Sequence, residues 1–381
     1  MQTLTINRTD GNLLASLEGQ DHISGLLFLV AASGDVPSAF STNSFAACSS
    51  LSTATTLGLT SGASGIAGIA WYHINEVLRL NPGATLYVGF AVRNSTFSVI
   101  ADMQQFAGGN IRQLGIWDMT VAPTSTIVTN LQTQATALDA LGQPLSIIYA
   151  PKVTALTATA LPRTLASNAP NVSIVIGQDK AVYDTTTDAV QKGIIGTVIG
   201  LISRSAVNES IAWVAKNETG LSLAAFGNGA LYRDTDTAVL AELDTARYIY
   251  LRTYAGLSGV YLNDSHNLAS ATGDYNSIER ERTMDKAVRG IRTYLLPELG
   301  RPVHFNTDGT LRADTIKHLQ TVAGKQLEDM EKDGEIDGWT VEIDASQNVL
   351  STSQVVLYVK ALPIGVMRQA VVNIGYTDSL S

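Results

Sequence analysis

Short apolar runs alternate with amphipathic stretches from residue 84 to about residue 262. The runs are nearly continuous in hydrophobic residues, which is typical of buried parallel strands. The pattern therefore predicts an α/β layer fold with a mainly parallel sheet. The candidate helices lie near 98–107, 125–141, 157–167 and 189–205, and the candidate strands are 84–92, 111–119, 144–149, 171–177, 210–214 and 248–254.

Charged residues become dense in the last third of the chain, which predicts a second domain. Of the 25 Lys and Arg and the 34 Asp and Glu residues, 22 lie between Ser277 and Gly338. Apolar residues recur every three or four positions over 277–296, where Pro297 ends the pattern, and again over 312–332, so two helices are expected. Predicted short strands complete an α+β arrangement, and they are 302–305, 339–343, 354–361 and 369–376.

Both ends of the sequence show the two-residue alternation of a strand. Such a strand can add to the sheet edge of a neighbouring copy, and a contact of this kind that does not close produces a helical assembly. The alternative is that both strands complete the chain's own sheet. The candidate inter-subunit arm residues are Thr3, Leu4, Thr5, Ile6 and Asn7 at one end and Gln369, Ala370, Val371, Val372, Asn373 and Ile374 at the other.

The composition fits a subunit of an assembly better than a free monomer. Charged residues are 15% of the chain, against roughly 25% in ordinary soluble domains. We therefore expect surface to be buried between copies, although a surface rich in Ala, Ser and Thr is the alternative. The net charge of −9 argues against a nucleic-acid partner. The longest apolar run, 25–32, is shorter than the roughly 20 residues of a membrane span, so no membrane insertion is expected.

Motifs that carry chemistry are absent from the sequence. It contains no GxxxxGK[ST] loop, no GxSxG elbow and no HExxH pair. Its single cysteine, Cys48, allows neither an intrachain disulfide nor a thiolate metal cluster. We therefore predict no enzymatic activity, no cofactor and no metal site. An α/β enzyme with a dispersed active site is the alternative from another functional class.

A basic stripe and an acidic cluster lie on the two predicted helices of the last third. Basic residues recur every three or four positions on the first helix, and acidic residues collect over 328–337. One interpretation is two solvated faces that pair within the chain. The other is complementary patches that meet between subunits and set their register. The candidate inter-subunit charges are Arg282, Lys286, Arg289, Arg292, Asp333 and Glu335.

The last third of the chain contains a series of short motifs, which are Gly259-Val-Tyr-Leu-Asn263, Asp274-Tyr275, Arg282-x-x-Asp285-Lys286-Ala-x-Arg289, Gly338-Trp-Thr-Val-Glu-Ile-Asp344 and Pro363-Ile-Gly365. In their order and spacing they resemble contractile tail sheath proteins. The resemblance covers roughly residues 255–377, and the opening segment 19–25 is similar to the start of compact sheath-like proteins of bacteroidete phages and injection systems. It implies an N-terminal arm (1–20), an α/β domain (21–255), a sheath-like α+β domain (256–367) and a C-terminal arm (368–381).

The resemblance also implies a function and a set of partners. Subunits of this family form stacked six-fold rings around a tail tube, and contraction drives the tube through a target envelope. The expected partners are other copies of the chain, the tube protein, the baseplate and the tail terminator. Synthesis is expected in the bacterial cytoplasm, and the final location is a phage tail or an extracellular injection particle. The C-terminal domain of the family faces the tube, which makes Lys317, Lys325, Glu328 and Lys332 the candidate tube contacts.

Overall fold

The structure is a computed structural model that describes residues 20–42, 44–165, 168–182, 191–372 and 374–376. The predicted N-terminal arm strand, Thr3 to Asn7, lies outside the described residues. The same holds for Asn373 of the predicted C-terminal strand.

A six-stranded sheet forms the centre of the first domain. Its order is β2-β3-β1-β4-β5-β6, with β2 antiparallel at one edge and the other five strands parallel. Every residue of β1 is buried, because the strand lies between two neighbours and has a helical layer on each face. The strands are β1 (Ser24–Val30), β2 (Phe45–Ala47), β3 (Leu86–Val92), β4 (Gln113–Asp118), β5 (Ser146–Pro151) and β6 (Val172–Ile174).

Helices cover both faces of this sheet and create two hydrophobic cores. Alternate residues of β1 enter opposite cores: Phe28 joins the one with α2 and α5, and Leu29 joins the one with α3, α4 and α6. Side-chain caps start some of these helices, as where the Thr124 hydroxyl accepts the backbone N–H of Ile127. The helices are α1 (Leu51–Thr56), α2 (Gly65–Leu80), α3 (Val99–Phe106), α4 (Ser125–Ala140), α5 (Ile195–Arg204) and α6 (Thr237–Thr245).

Two short antiparallel pairs extend the first domain, and two predicted elements there are wrong. Residues 210–214 form turns instead of a strand, because the Ser210 carbonyl accepts hydrogen bonds from two groups close by in the sequence. These are the backbone N–H of Trp213 and the side-chain amide of Asn217. The described part of 157–167 forms no helix, since Pro162 restricts the residue before it to extended backbone. The pairs are β7 (Gly177–Asp179) with β8 (Ala224–Phe226), and β9 (Leu251–Arg252) with β10 (Tyr261–Leu262).

In the last third of the chain, the two predicted helices pack against a hairpin of two strands, where the sequence predicts four strands. The helices are α7 (Ile278–Leu295) and α8 (Ala313–Lys332), and the hairpin pairs β11 (Ile336–Glu342) with β12 (Tyr358–Pro363) around a short α9 (Val349–Thr352). Gly324 of α8 lies under the indole of Trp339, where an added Cβ would be 2.4 Å from a ring carbon. The predicted strand 302–305 is wrong, because only Phe305 forms a bridge, to Leu311.

Candidate assembly surfaces

The C-terminal arm is an exposed segment with apolar side chains. Within the described residues, 369–372 and 374–376 pair with no strand of their own subunit. Val372 and Ile374 are 81% and 95% exposed. Isolated exposed apolar residues are common on proteins, but a consecutive set on an unpaired segment is typical of a surface that another molecule covers. The described residues of this arm therefore do not complete their own sheet.

The β11–β12 hairpin has open edges next to that arm in the sequence. Each strand has the other as its partner, and the outer edges are unpaired within the described residues. Tyr358, Val359 and Leu362 of β12 are exposed. A hairpin of two strands is marginal in water and its free backbone groups can accept another strand. The hairpin therefore has both the hydrogen-bonding groups and the apolar side chains that an added strand needs.

One face of α8 presents the four predicted tube contacts to solvent. Lys317, Lys325, Glu328 and Lys332 are all exposed, and their spacings of eight, three and four residues place them on one side of the helix. Lys332 Nζ donates to Glu328 Oε1 over 2.6 Å. The Lys325 ammonium lies 5.2 Å from the centre of the Tyr294 ring. The net charge of the four is positive, which favours an acidic partner surface.

Most of the basic stripe on α7 is internal to the subunit. Lys286 Nζ lies 2.6 Å from Glu335 Oε1 and 3.2 Å from Asp21 Oδ2. Arg289 Nη2 lies 2.6 Å from Asp21 Oδ1. The buried Arg282 guanidinium donates to the carbonyl of Ala206 over 3.2 Å. These contacts form the pairing within the chain that was the alternative to contacts between subunits.

An inter-subunit role for Arg282, Lys286, Arg289 and Glu335 stays a prediction, and it would require their internal contacts to open. Opening these contacts is costly, because a buried charge that loses its partner is no longer compensated. Each broken buried pair costs roughly 3–5 kcal/mol. Arg292 and Asp333 differ from these four, since both side chains are exposed. They are the members of the set that can meet another copy without rearrangement.

The burial of the Glu281 and Asp285 carboxylates on α7 was not predicted from the sequence. Glu281 and Asp285 lie one helical turn apart and face the first domain. Burial raises the pKa of Glu281 to about 7, although Asn171 Nδ2 donates to Glu281 Oε1 over 2.7 Å. Burial also raises the pKa of Asp285, and the neighbouring Glu281 carboxylate adds to that shift. A charged face on an amphipathic helix looks solvated in the sequence, so no local signal identifies these residues as buried.

The carboxyl edge of the parallel sheet holds a cavity of about 490 Å³ between β1, β4 and the start of α2. Asp35 is the one titratable side chain among its described lining residues, and its carboxylate accepts the backbone N–H of Ala32 over 3.2 Å. General acid–base chemistry normally needs a second titratable group in reach. The described lining offers a single carboxylate, with the Ser64 and Thr120 hydroxyl side chains among otherwise apolar residues.

His73 of α2 is a structural core residue. Its Nε2–H donates to the Lys192 carbonyl over 2.8 Å, and its Nδ1 accepts the Gly196 N–H over 3.2 Å. Burial lowers the pKa of His73 to about 3, so the ring is neutral at ordinary pH. Across the described ranges, no group of three or more His, Cys, Asp or Glu side chains is placed to hold a metal ion. In the same residues, no helix combines the length and hydrophobicity needed to cross a bilayer.

The fold is that of proteins in contractile sheath assemblies. A chain in the structure of the anti-feeding prophage (AFP) baseplate matches with a TM-score of 0.65 and 13% identity over 98% of both chains. A chain of an extracellular contractile injection system, the PVC sheath complex in the contracted state, matches with a TM-score of 0.63 and 13% identity over 99% of both chains. The predicted α/β class and the resemblance to contractile sheath proteins are therefore confirmed.

Sequence relatives point to the same class. The chain is 27% identical over 198 residues to a protein of Haemophilus phage HP1 (strain HP1c1) named "Putative tail sheath protein". The match covers 48% of this chain and 51% of that protein, so the chain spans about half the length of this curated relative. Models of the DUF2586 family match residues 49–266, as its N-terminal domain, and residues 274–381, as its C-terminal domain. The chain belongs to the DUF2586 family.

Proposed function

We propose that the chain is a structural subunit of a contractile sheath, in a phage tail or a bacterial injection particle. The observation that carries the proposal is the exposed apolar C-terminal arm, described at residues 369–372 and 374–376, which follows a hairpin with open edges in the sequence. The fold shared with chains of contractile assemblies supports it. A subunit of this kind is incomplete alone, because its arm has no partner until another copy supplies a sheet edge.

The arm of one copy adds to the β11–β12 hairpin of another. Main-chain hydrogen bonds fix the pairing, and the alternate side chains Val372 and Ile374 are buried against exposed residues such as Leu362. Each such apolar side chain contributes roughly 1.5–3 kcal/mol when it is fully buried. Residues Thr3 to Asn7 supply the second arm of the same network. A contact from one copy to the next that does not close on itself extends into a helical lattice.

The outer face of α8 is the surface that meets the tube. Lys317, Lys325 and Lys332 give it positive charge, which suits an acidic tube surface and fixes register more than affinity. The baseplate and the tail terminator are the partners at the two ends of the lattice. Contraction is a movement of subunits as rigid bodies while the arm segments bend. No nucleotide hydrolysis is needed, because the extended lattice stores the energy.

The test is whether apolar side chains of the arm are needed for polymerisation. The double substitution Val372→Asp and Ile374→Asp should leave the subunit folded by circular dichroism but prevent tubes in negative-stain microscopy, since each carboxylate would have to be buried in the added strand. The matched control is Leu350→Asp on α9, an equally apolar and exposed residue of the same domain, which should form tubes like the wild type. Tubes from the arm variant refute the role of the arm. A discrete dimer or tetramer of the wild type at every concentration refutes the sheath and favours an enzyme.

A further inference from the structure

Arg368 lies where the C-terminal arm leaves the subunit. It follows the end of β12, Pro363, by five residues and directly precedes the exposed segment. Its Nε donates to both carboxylate oxygens of Asp264, over 2.9 Å and 3.2 Å. Its Nη2 donates to the Ser265 hydroxyl over 3.1 Å and also to Glu279 Oε1. One guanidinium therefore contacts three side chains, with the forked geometry that suits arginine.

The receiving site for Arg368 is preformed in the body of the subunit. Glu279 is 2% exposed, and the Ser265 hydroxyl donates to its second oxygen over 2.6 Å. The Ser210 hydroxyl in turn donates to Ser265 Oγ over 3.1 Å. Within the described residues, Arg368 is the cation that forms an ion pair with Glu279. A buried carboxylate needs such a partner, so the site has a strong preference for a bound cation.

The contacts of Arg368 connect the arm to the joint between the two domains. Asp264 and Ser265 belong to the turn that follows β10, and Glu279 lies in the first turn of α7. The hairpin holds the chain up to Pro363, but Met367 after it is exposed and an added Cβ at Gly365 would meet nothing within 4 Å. Arg368 is thus a second point of attachment, separate from the hairpin and nearer to the arm.

We propose that Arg368 is the positioning residue of the C-terminal arm, whose guanidinium fixes the start of the arm at Glu279 and Asp264. The inference rests on the proposed function, since it gives the arm a fixed point of departure toward the next copy. Without the anchor, residues 364–368 become part of the flexible tether. Assembly must then order five more residues, and ordering flexible segments weakens association. Loss of the anchor should therefore weaken assembly without removing any contact between copies.

Arg368→Gln tests the anchor, because it keeps a hydrogen-bonding side chain and loses the charge. In the unassembled subunit, hydrogen exchange of the amides in 364–368 should accelerate at least tenfold, while exchange in β5 stays unchanged. The concentration needed for polymerisation should rise at least tenfold. Asp264→Asn, which neutralises one of the two carboxylates that pair with Arg368, should accelerate amide exchange in the same segment. The matched control is Arg233→Gln, whose exposed ion pair with Asp234 lies outside both the anchor and the hairpin; it should change neither readout.

The outcomes separate the anchor from a general stabilising contact. If amide exchange in 364–368 is unchanged in Arg368→Gln, the proposal is overturned. The same holds if the unfolding midpoint of the whole subunit falls while exchange in this segment stays unchanged. Faster arm exchange with an unchanged polymerisation threshold also overturns it. The exchange experiment needs no polymer. If the wild type forms none, the proposed function fails while the position of the anchor is still measured.

Discussion

The buried ion pair between Lys286 and Glu335 gives a direct test of how the charged stripe on α7 is used. Lys286→Met removes the ammonium but keeps most of the aliphatic stem, so packing is largely retained. The Lys286 and Glu335 side chains are 13% and 9% exposed, and Glu335 Oε2 has no hydrogen-bond partner even in the wild type. The substitution therefore leaves Glu335 as a buried carboxylate without its cation.

The expected cost is large for a single substitution. Removal of one partner from a buried pair lowers the free energy of unfolding by about 3–5 kcal/mol, and the low end applies here because some solvent reaches the pair. With a urea m-value of about 3 kcal/mol/M, a loss of about 3 kcal/mol shifts the midpoint by about 1 M. The cost should shrink as the pH falls, because burial raises the pKa of Glu335 and protonation removes the unpaired charge.

Urea unfolding of dilute, unassembled subunits measures this cost without contributions from neighbouring copies. The matched control is Lys360→Met, since the Lys360–Glu342 pair joins the same two residue types over 3.2 Å but the side chains are 70% and 60% exposed. Its loss should be about 0–1 kcal/mol. If Lys286→Met costs no more than Lys360→Met and instead blocks polymerisation, the pairing within the subunit is refuted and the stripe acts between subunits.

Two further outcomes follow from the packing of the helices. The raised pKa of Glu281, about 7 against an ordinary 4.5, means that the folded state holds a proton that the unfolded state has already lost. Its contribution to stability is therefore present below pH 4.5 and is lost as the pH rises to 7, and Glu281→Gln should remove that loss in unfolding experiments across this range. Gly196→Ala should lower the free energy of unfolding by about 1–3 kcal/mol despite the better helix propensity of alanine, because a Cβ there would lie 2.4 Å from the His73 carbonyl oxygen. Gly338→Ala, where an added Cβ meets nothing within 4 Å, is the control, and an equal effect of both substitutions would contradict the packing argument.

Elements whose signal is local could be predicted from the sequence. The spacing of apolar residues and the position of Pro297 predicted α7 almost to its ends, and α8 likewise. The continuous apolar runs predicted β3 and β4, because a parallel strand buried on both faces needs hydrophobic residues at successive positions. The alternation of 369–376 predicts a strand there, whereas its described residues are exposed and form no strand with their own subunit. Their role as an inter-subunit arm stays a prediction.

Elements that depend on distant residues could not be predicted this way. The sequence pattern predicts no helix at Gly65–Leu80, where α2 contains two glycines, yet α2 forms because it packs closely against α5. The sequence pattern alone predicts no strand at 24–30, but between β3 and β4 this segment becomes the fully buried central strand β1. In both cases the neighbours that stabilise the element lie far away in the chain.

The sequence by itself determined which residues of the last third carry charge, which spacing they follow and where the helices under them begin and end. Only the tertiary structure decided which of those charges are buried. Arg289 pairs with Asp21, 268 residues away, and Arg368 with Glu279, 89 residues away. The physical reason is that helical spacing specifies a face of a helix but not what covers it. From the sequence, a charged helix face is therefore predicted to be solvated. It becomes buried only when another part of the chain supplies the opposite charge and excludes water.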